Sequence, residues 1–287
     1  MKKKVASTLI LSAIILAVMM FASNFVGTMY VGNTFAAETE EKFYTSDVMP
    51  IGGTITDYVT ETVSYGRAIP TGYENPYKIP LYYATEIDNS CAVTAGGSTI
   101  GYYDRIYEEL IPNHTGTIFM GHFTYGAQDA EVNSMFRSLA FRMGTTESGT
   151  TIPGYISGMD SYIKSKGRVA SIESVCDNGT LNESEYETAL ENGKLLTLFV
   201  DGFCFTEFSA ANETNDTVTI RNTVVTGCHT LTAYGYRTYS YYDSSNRLIR
   251  QDKYMLVHTG FNSIGRGLLR LTGGYCTIDD GFIIDIN

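Results

Sequence analysis

The rhythm of apolar positions changes along the chain. After Cys91, the residues Ile100, Tyr103, Ile106, Tyr107 and Leu110 recur three or four apart, which predicts a helix beginning near the cysteine and ending before Pro112. Ile156, Met159 and Ile163 repeat that spacing up to Gly167, a natural helix stop, and a strand-like run follows from Val169 to Val175. A second helix-then-strand unit is clearer. Asn182 with Glu185 three residues on resembles a capping box, Tyr186, Ala189 and Leu190 make the apolar stripe, and Gly193 closes it before a buried strand at 195–200. From Thr217 the helical period vanishes, and β-branched or aromatic runs recur at 217–225, 229–240, 254–258, 268–272 and 276–286. Helices first and strands afterwards indicate an α+β domain whose C-terminal half is an antiparallel sheet. Residues 112–152, rich in Gly, Thr and Ser with one apolar patch from Ser134 to Met143, read as an insertion around a single helix.

The N-terminal part reads differently. Lys2, Lys3 and Lys4 precede an apolar run from Val5 to Ala22, and small residues recur at Ala36 and Ala37, which is the layout of a signal peptide over residues 1–37. An uncleaved signal anchor is the alternative, since about eighteen apolar residues approach the length of a membrane span. From Glu38 to about Lys78 the chain is polar and broken by Gly52, Gly53, Pro70, Gly72 and Pro76, so it forms an N-terminal arm. Alternation at 54–63 allows one half-buried strand there, and the arm is either a propeptide or a strand added to the main domain.

Composition narrows the partners. The 287 residues carry 20 basic and 31 acidic side chains, a net charge of −11, and losing the three N-terminal lysines leaves 17 against 31, or −14. A soluble, acidic, extracellular protein repels polyanions, so neither nucleic acid nor, after signal cleavage, a membrane is an expected partner. Five cysteines are an odd number, which leaves at least one thiol outside any set of internal disulfides. Cys176, Cys204, Cys228 and Cys276 have no metal-ligand spacing with one another or with histidine, so no metal or other cofactor is expected; their disulfide pairing stays open.

Cys91 is the fifth thiol. At a helix N-terminus the positive end of the helix dipole favours a thiolate, which makes a nucleophile. The base has four candidates, His114, His122, His229 and His258. His229 opens the strand GCHTLTAYGY at 227–236 and lies 138 residues after Cys91 (229 minus 91), within the interval of about 130 to 150 seen between Cys and His in papain-like enzymes. His114 and His122 fall in the insertion and read as surface or local packing residues.

These segments carry a resemblance. NSCAVTAGGSTIGYYDR (89–105) resembles the nucleophile helix of papain-fold bacterial cysteine peptidases of the bacteriocin-processing (family thirty-nine-like) and streptopain-like groups. FRMGTTESGT (141–150), GMDSYIKSKG (158–167), LENGKLLTLFVDGF (190–203), GCHTLTAYGY and KYMLVHTGF (253–261) resemble later segments of those proteins, in the same order from about residue 78 to the C-terminus. The resemblance implies a papain-like cysteine peptidase fold, with an N-terminal nucleophile helix packed on a C-terminal antiparallel sheet. It further implies a secreted hydrolase of peptide or protein substrates in which Cys91 attacks and His229 shuttles the proton.

Two positions depart from the family. Where it has Asn followed by Gly and Trp, this chain has His258, Gly260 and Phe261, so the third catalytic residue is expected to be His258 or Asn262. The usual oxyanion glutamine is missing among Glu86, Asp88 and Asn89, leaving Asn89 with the Cys91 backbone N–H as the oxyanion donors. Two other readings stand beside it: an inactive extracellular binding protein on the same fold, which these departures motivate, and a transglutaminase-like acyltransferase, which shares the Cys-then-His order.

Overall fold

The computed structural model describes Lys42 and residues 55–114, 116–120, 122–208 and 217–287. The expected signal peptide and most of the arm before residue 55 lie outside them. In chain order the described elements are β1 (Ile55–Ser64), β2 (Arg67–Glu74), α1 (Cys91–Asp104), β3 (Thr117–Phe119), β4 (His122–Thr124), α2 (Ala130–Met143), α3 (Ile152–Ser165), β5 (Ala170–Ser174), β6 (Cys176–Asp177), β7 (Thr180–Leu181), α4 (Glu183–Glu191), β8 (Leu195–Phe208), β9 (Thr217–Tyr242), β10 (Leu248–His258), β11 (Arg266–Arg270) and β12 (Ile278–Ile286). It is a mixed helix-and-sheet fold dominated by antiparallel sheet: every pairing among the described strands is antiparallel. No helix among the described residues is long and apolar enough to cross a membrane.

The sheet runs β1-β9-β10-β11-β8-β12-β5, and β8 also pairs with β9, so β8, β9, β10 and β11 form a closed circuit. Leu198, Val200, Phe203, Leu231, Ala233, Met255, Val257 and Leu269 fill one apolar core. The other face carries Leu195, Phe199, Tyr234 and Leu256, against which α1, α2 and α3 pack. The two sequence runs at 217–225 and 229–240 are a single strand, β9. Gly227 takes a left-handed φ of 101° between them without ending the pairing.

All fourteen residues of α1 are buried, because the helix lies between β9 and the pair α2 and α3. Its small residues make that possible. A Cβ on Gly97 would stand 2.2 Å from Cε1 of Phe136 on α2, and one on Gly96 would stand 2.8 Å from the end of Met143. The expected insertion at 112–152 is therefore part of the core: Val132, Met135, Phe136, Leu139 and Met143 face inward, with Asp129 capping α2 and Gly144 closing it in the left-handed region. The helix α1 also stops earlier than its spacing predicts. The chain turns after Asp104, whose buried carboxylate accepts the Ile111 N–H at 2.7 Å. At α4 the capping box does not form, since the Asn182 side chain accepts from the Ser184 hydroxyl at 3.0 Å and not from the helix backbone.

The arm contributes two strands, both on β9: β1 along 217–225 and β2 along 235–242. Glu61 of β1 is tied down by Arg250 (2.7 Å), Arg270 (2.7 Å) and the Tyr275 hydroxyl (3.0 Å), while Asp252 completes the charge balance with both arginines. These hydrogen bonds and positive charges outweigh the cost of burial and hold the Glu61 carboxyl down to about 2, from an ordinary 4.5. A lowered carboxyl pKa stabilises the fold above pH about 4.5, and that contribution is lost as pH falls toward 2. Glu61→Gln should therefore cost on the order of 2 to 3 kcal/mol at pH 7 in urea unfolding, a gap that closes with acidification. Gly97→Ala, which drives a methyl into the Phe136 ring, should cost about 1 to 3 kcal/mol in the same assay, independent of pH.

Candidate active site

Cys91 is the first residue of α1, and the segment before it is held by two reciprocal bonds. The Ser90 hydroxyl donates to the Ala84 carbonyl and the Ala84 N–H donates to the Thr94 hydroxyl, each at 3.1 Å. From the sheet side, the Thr232 hydroxyl donates to the Ala95 carbonyl at 3.2 Å, which sets the first turn of α1 against β9. The Cys91 thiol then lies against the hydroxyl and backbone of Thr230, beside its own N–H and that of Ala92. Only 1% of Cys91 is exposed, and this burial pushes the thiol up to about 12 in spite of the polar groups beside it. The lowering expected from the helix N-terminus is thus outweighed, and in this conformation the sulfur is a thiol at neutral pH.

His229 is the next residue along β9 from Thr230. Successive strand residues point to opposite faces, so with Thr230 turned to the helix the imidazole enters the apolar core inside the closed circuit. There it stacks on Phe261, with centroids 4.4 Å apart and planes 6° apart, and on Phe203 at 5.4 Å and 19°. Its Nε2 meets the Thr259 carbonyl at 2.7 Å. A carbonyl only accepts, so Nε2 carries the proton in this contact. The structure therefore places the Cys91 thiol and the His229 imidazole on opposite faces of β9, joined only through neighbouring residues of the strand.

Thr259 is the orienting residue, and sequence reasoning missed it. The two residues expected for this role are placed elsewhere. His258 pairs in register with Thr232, so its ring points to the face of α1, away from His229 Nε2. Its Nδ1 accepts the Gly260 N–H at 3.0 Å and its ring lies 5.0 Å from that of Tyr83, while Nε2 is buried without a hydrogen-bond partner. Asn262 is exposed in the turn that follows β10. Gly260 makes the carbonyl contact possible, since it adopts φ +76° and a Cβ there would lie 3.1 Å from His229 Nε2. The only local signal was the glycine in HisThrGlyPhe, because a backbone carbonyl has no residue type of its own.

Of the expected oxyanion donors, the Cys91 N–H faces the thiol, joined there by the Ala92 N–H that was not expected, whereas the Asn89 side-chain amide donates to the Glu147 carbonyl. Asn89 itself has a left-handed φ of 50°. His114 is a buried bridge between the Tyr82 hydroxyl (2.7 Å) and Asp129 (3.0 Å), and His122 is exposed on β4. All five cysteines are free thiols. Among the described residues no group of three His, Cys, Asp or Glu side chains is arranged to hold a metal ion.

No family model, curated protein or solved structure matches the chain.

The two histidines differ in a way that can be measured. Burial, and to a lesser degree the positive charge of Arg266 and His229, pulls His258 down to about 3 from an ordinary 6.5. A histidine pKa below its unfolded value destabilises the fold in acid, so this share of stability falls as pH drops from about 6.5 toward 3. In nitrogen-detected NMR, His258 should remain neutral with its proton on Nε2 down to at least pH 5. His229 should also show the Nε2–H tautomer at neutral pH, and an Nδ1–H signal from it would contradict the Thr259 assignment.

Proposed function

We propose that the chain is a secreted cysteine peptidase with a papain-like arrangement of nucleophile helix and sheet, hydrolysing peptide bonds through Cys91 and His229. One observation supports this reading: a cysteine is the first residue of a helix whose first turn packs on the strand that carries His229, and the outer nitrogen of that histidine is held by a carbonyl. In the reaction, the opening that admits substrate also turns the His229 imidazole to the sulfur; the ring takes the thiol proton as the sulfur adds to the substrate carbonyl carbon. The Cys91 and Ala92 N–H groups donate to the oxyanion. The imidazolium then protonates the leaving amine as the C–N bond breaks, and water releases the acyl group from sulfur with the ring again acting as base. Thr259 supplies a dipole where many such enzymes have an amide or a carboxylate. It fixes the ring while adding no full negative charge to the imidazolium.

The closed state described above needs to open before substrate enters, because both Cys91 and His229 are buried. That burial, together with the engagement of Asn89 by Glu147, favours the inactive binding protein as the second reading.

Peptide turnover and thiol labelling separate the two. Cys91→Ala should abolish hydrolysis of a denatured protein substrate with an unfolding midpoint close to wild type, and His229→Gln, which keeps a side chain between the two phenylalanines, should reduce it by about 10² to 10⁴. Iodoacetamide near pH 6 should modify Cys91 faster than a cysteine of the unfolded chain whenever the site opens, and a bound peptide should slow that reaction. Labelling no faster than that of a cysteine in the unfolded chain, with turnover absent under every condition, overturns the peptidase reading. Amine incorporation in place of hydrolysis would instead identify an acyltransferase.

A further inference from the structure

The face of the sheet that meets the Cys91 thiol also carries a histidine. Along β10, Met255 and Val257 enter the core inside the closed circuit, whereas Leu256 joins the core under the helices, so alternation turns His258 to the helix side with Leu256. Register agrees: His258 pairs with Thr232, whose hydroxyl reaches the Ala95 carbonyl of α1 at 3.2 Å. Cys91 lies against Thr230, two residues back on β9. His258 and Thr230 are therefore diagonal neighbours on one face, about 7 to 8 Å apart and within reach of a long side chain. A second path leads from the ring to the same place. The ring packs on Tyr83, and the next residue, Ala84, is bonded through its carbonyl to Ser90 and through its N–H to Thr94, on either side of Cys91.

Thr230 Oγ1 and His258 Nε2 are both buried without a hydrogen-bond partner, and His258 is only 1% exposed. The end of the strand fixes the His258 tautomer. Nδ1 accepts the Gly260 N–H at 3.0 Å, so the proton is on Nε2, at the far end of the ring. Burial, Arg266, which pairs with His258 from β11, and His229 all disfavour a second proton, and Tyr83 is the other titratable group against the ring. The imidazole is thus a neutral donor. A buried donor without an acceptor costs free energy, and a thiol is a weak acceptor, whereas a thiolate takes a charge-assisted hydrogen bond. Resting on the reading of Cys91 as the nucleophile, we propose that His258 is a further catalytic residue, whose Nε2–H donates to the Cys91 sulfur when the thiolate forms. The thiol proton passes to the His229 ring and His258 keeps its own. The Thr230 hydroxyl is the second donor. Stabilisation by these neutral groups offsets part of the dehydration that disfavours the thiolate.

The pH dependence of iodoacetamide alkylation, followed at Cys91 by mass spectrometry, reads this contact without turnover, because site opening scales the rate while the midpoint reports the thiol. In the full chain that midpoint should lie below the midpoint of a cysteine in the unfolded protein. His258→Leu, which fills the space without a donor, should raise it by about one pH unit, or tenfold in thiolate fraction, and His258→Gln, which retains an N–H donor, should restore most of the shift. A packing role alone would change the unfolding midpoint and leave the alkylation midpoint in place. In the unmutated protein, the His258 Nε2 signal in nitrogen-detected NMR should move with the alkylation midpoint, and in Cys91→Ala it should stay constant over that range. An alkylation midpoint that His258→Leu leaves unchanged, one no lower than that of an unfolded cysteine, or a His258 signal indifferent to Cys91 overturns the donor. Hydrolysis of a denatured protein reports on the peptidase reading independently. A midpoint set by His258 without hydrolysis removes the peptidase and keeps the donor, whereas hydrolysis with a midpoint indifferent to His258 does the reverse.

Discussion

A strand has two edges of backbone hydrogen-bonding groups, and β9 shares both of its edges among four other strands. β8 and β10 both pair with residues 232 and 233, so they lie on opposite edges; β1 and β8 overlap at 220–225 and are likewise opposed. One edge thus carries β8 and then β2, and the other carries β1 and then β10. Between the end of β1 at Val225 and the end of β10 at Thr232, neither strand covers that second edge. Cys228, His229 and Thr230 fall in this interval, and the N-terminus of α1 meets the sheet there. The position of the candidate site is a consequence of how one long strand is partnered, before any catalytic side chain is considered.

Packing and chemistry pull in opposite directions at this point. The small residues at the start of α1 let the helix sink between β9 and α2, which brings Cys91 beside Thr230 and removes water from the sulfur. Dehydration disfavours the thiolate more than the surrounding N–H groups favour it. The imidazole is similarly protected between two phenylalanines, with a neutral carbonyl as its orienting partner. Both groups are buried and lie on opposite faces of β9, so the step assigned to opening joins rehydration of the thiol to movement of the imidazole toward it.

Much of the fold was legible where the local pattern agreed with the tertiary setting. The start of α1 at Cys91, the unit of α4 followed by β8, and the antiparallel C-terminal half all follow from spacing and turn residues. Other features depended on long-range contacts. The polar-looking segment with α2 turned out to be core because Gly96 and Gly97, 34 or more residues earlier, make room for Phe136 and Met143. β9 continues through Gly227 because its edges find partners on either side. The direction of His258 is set by its register with Thr232 after a bulge between Leu256 and Val257, which no pattern in β10 announces. Within the candidate site, the residue types and their spacing were readable, while the orienting contact was not, since it belongs to a main-chain carbonyl.

The way the arm joins the sheet bears on how the protein behaves at high concentration. β1 covers residues 217–225, a run of alternating Val, Ile and Thr that would otherwise show a row of unsatisfied N–H and C=O groups to solvent. Such an edge is a template for strand pairing between molecules. Glu61, anchored from within by Arg250 and Arg270, keeps β1 in place over it. The arm therefore decides which strand forms this edge of the sheet: β1, the outermost strand, stands there in place of 217–225, and a chain trimmed past Ser64 would present the Val- and Ile-rich run of β9 instead.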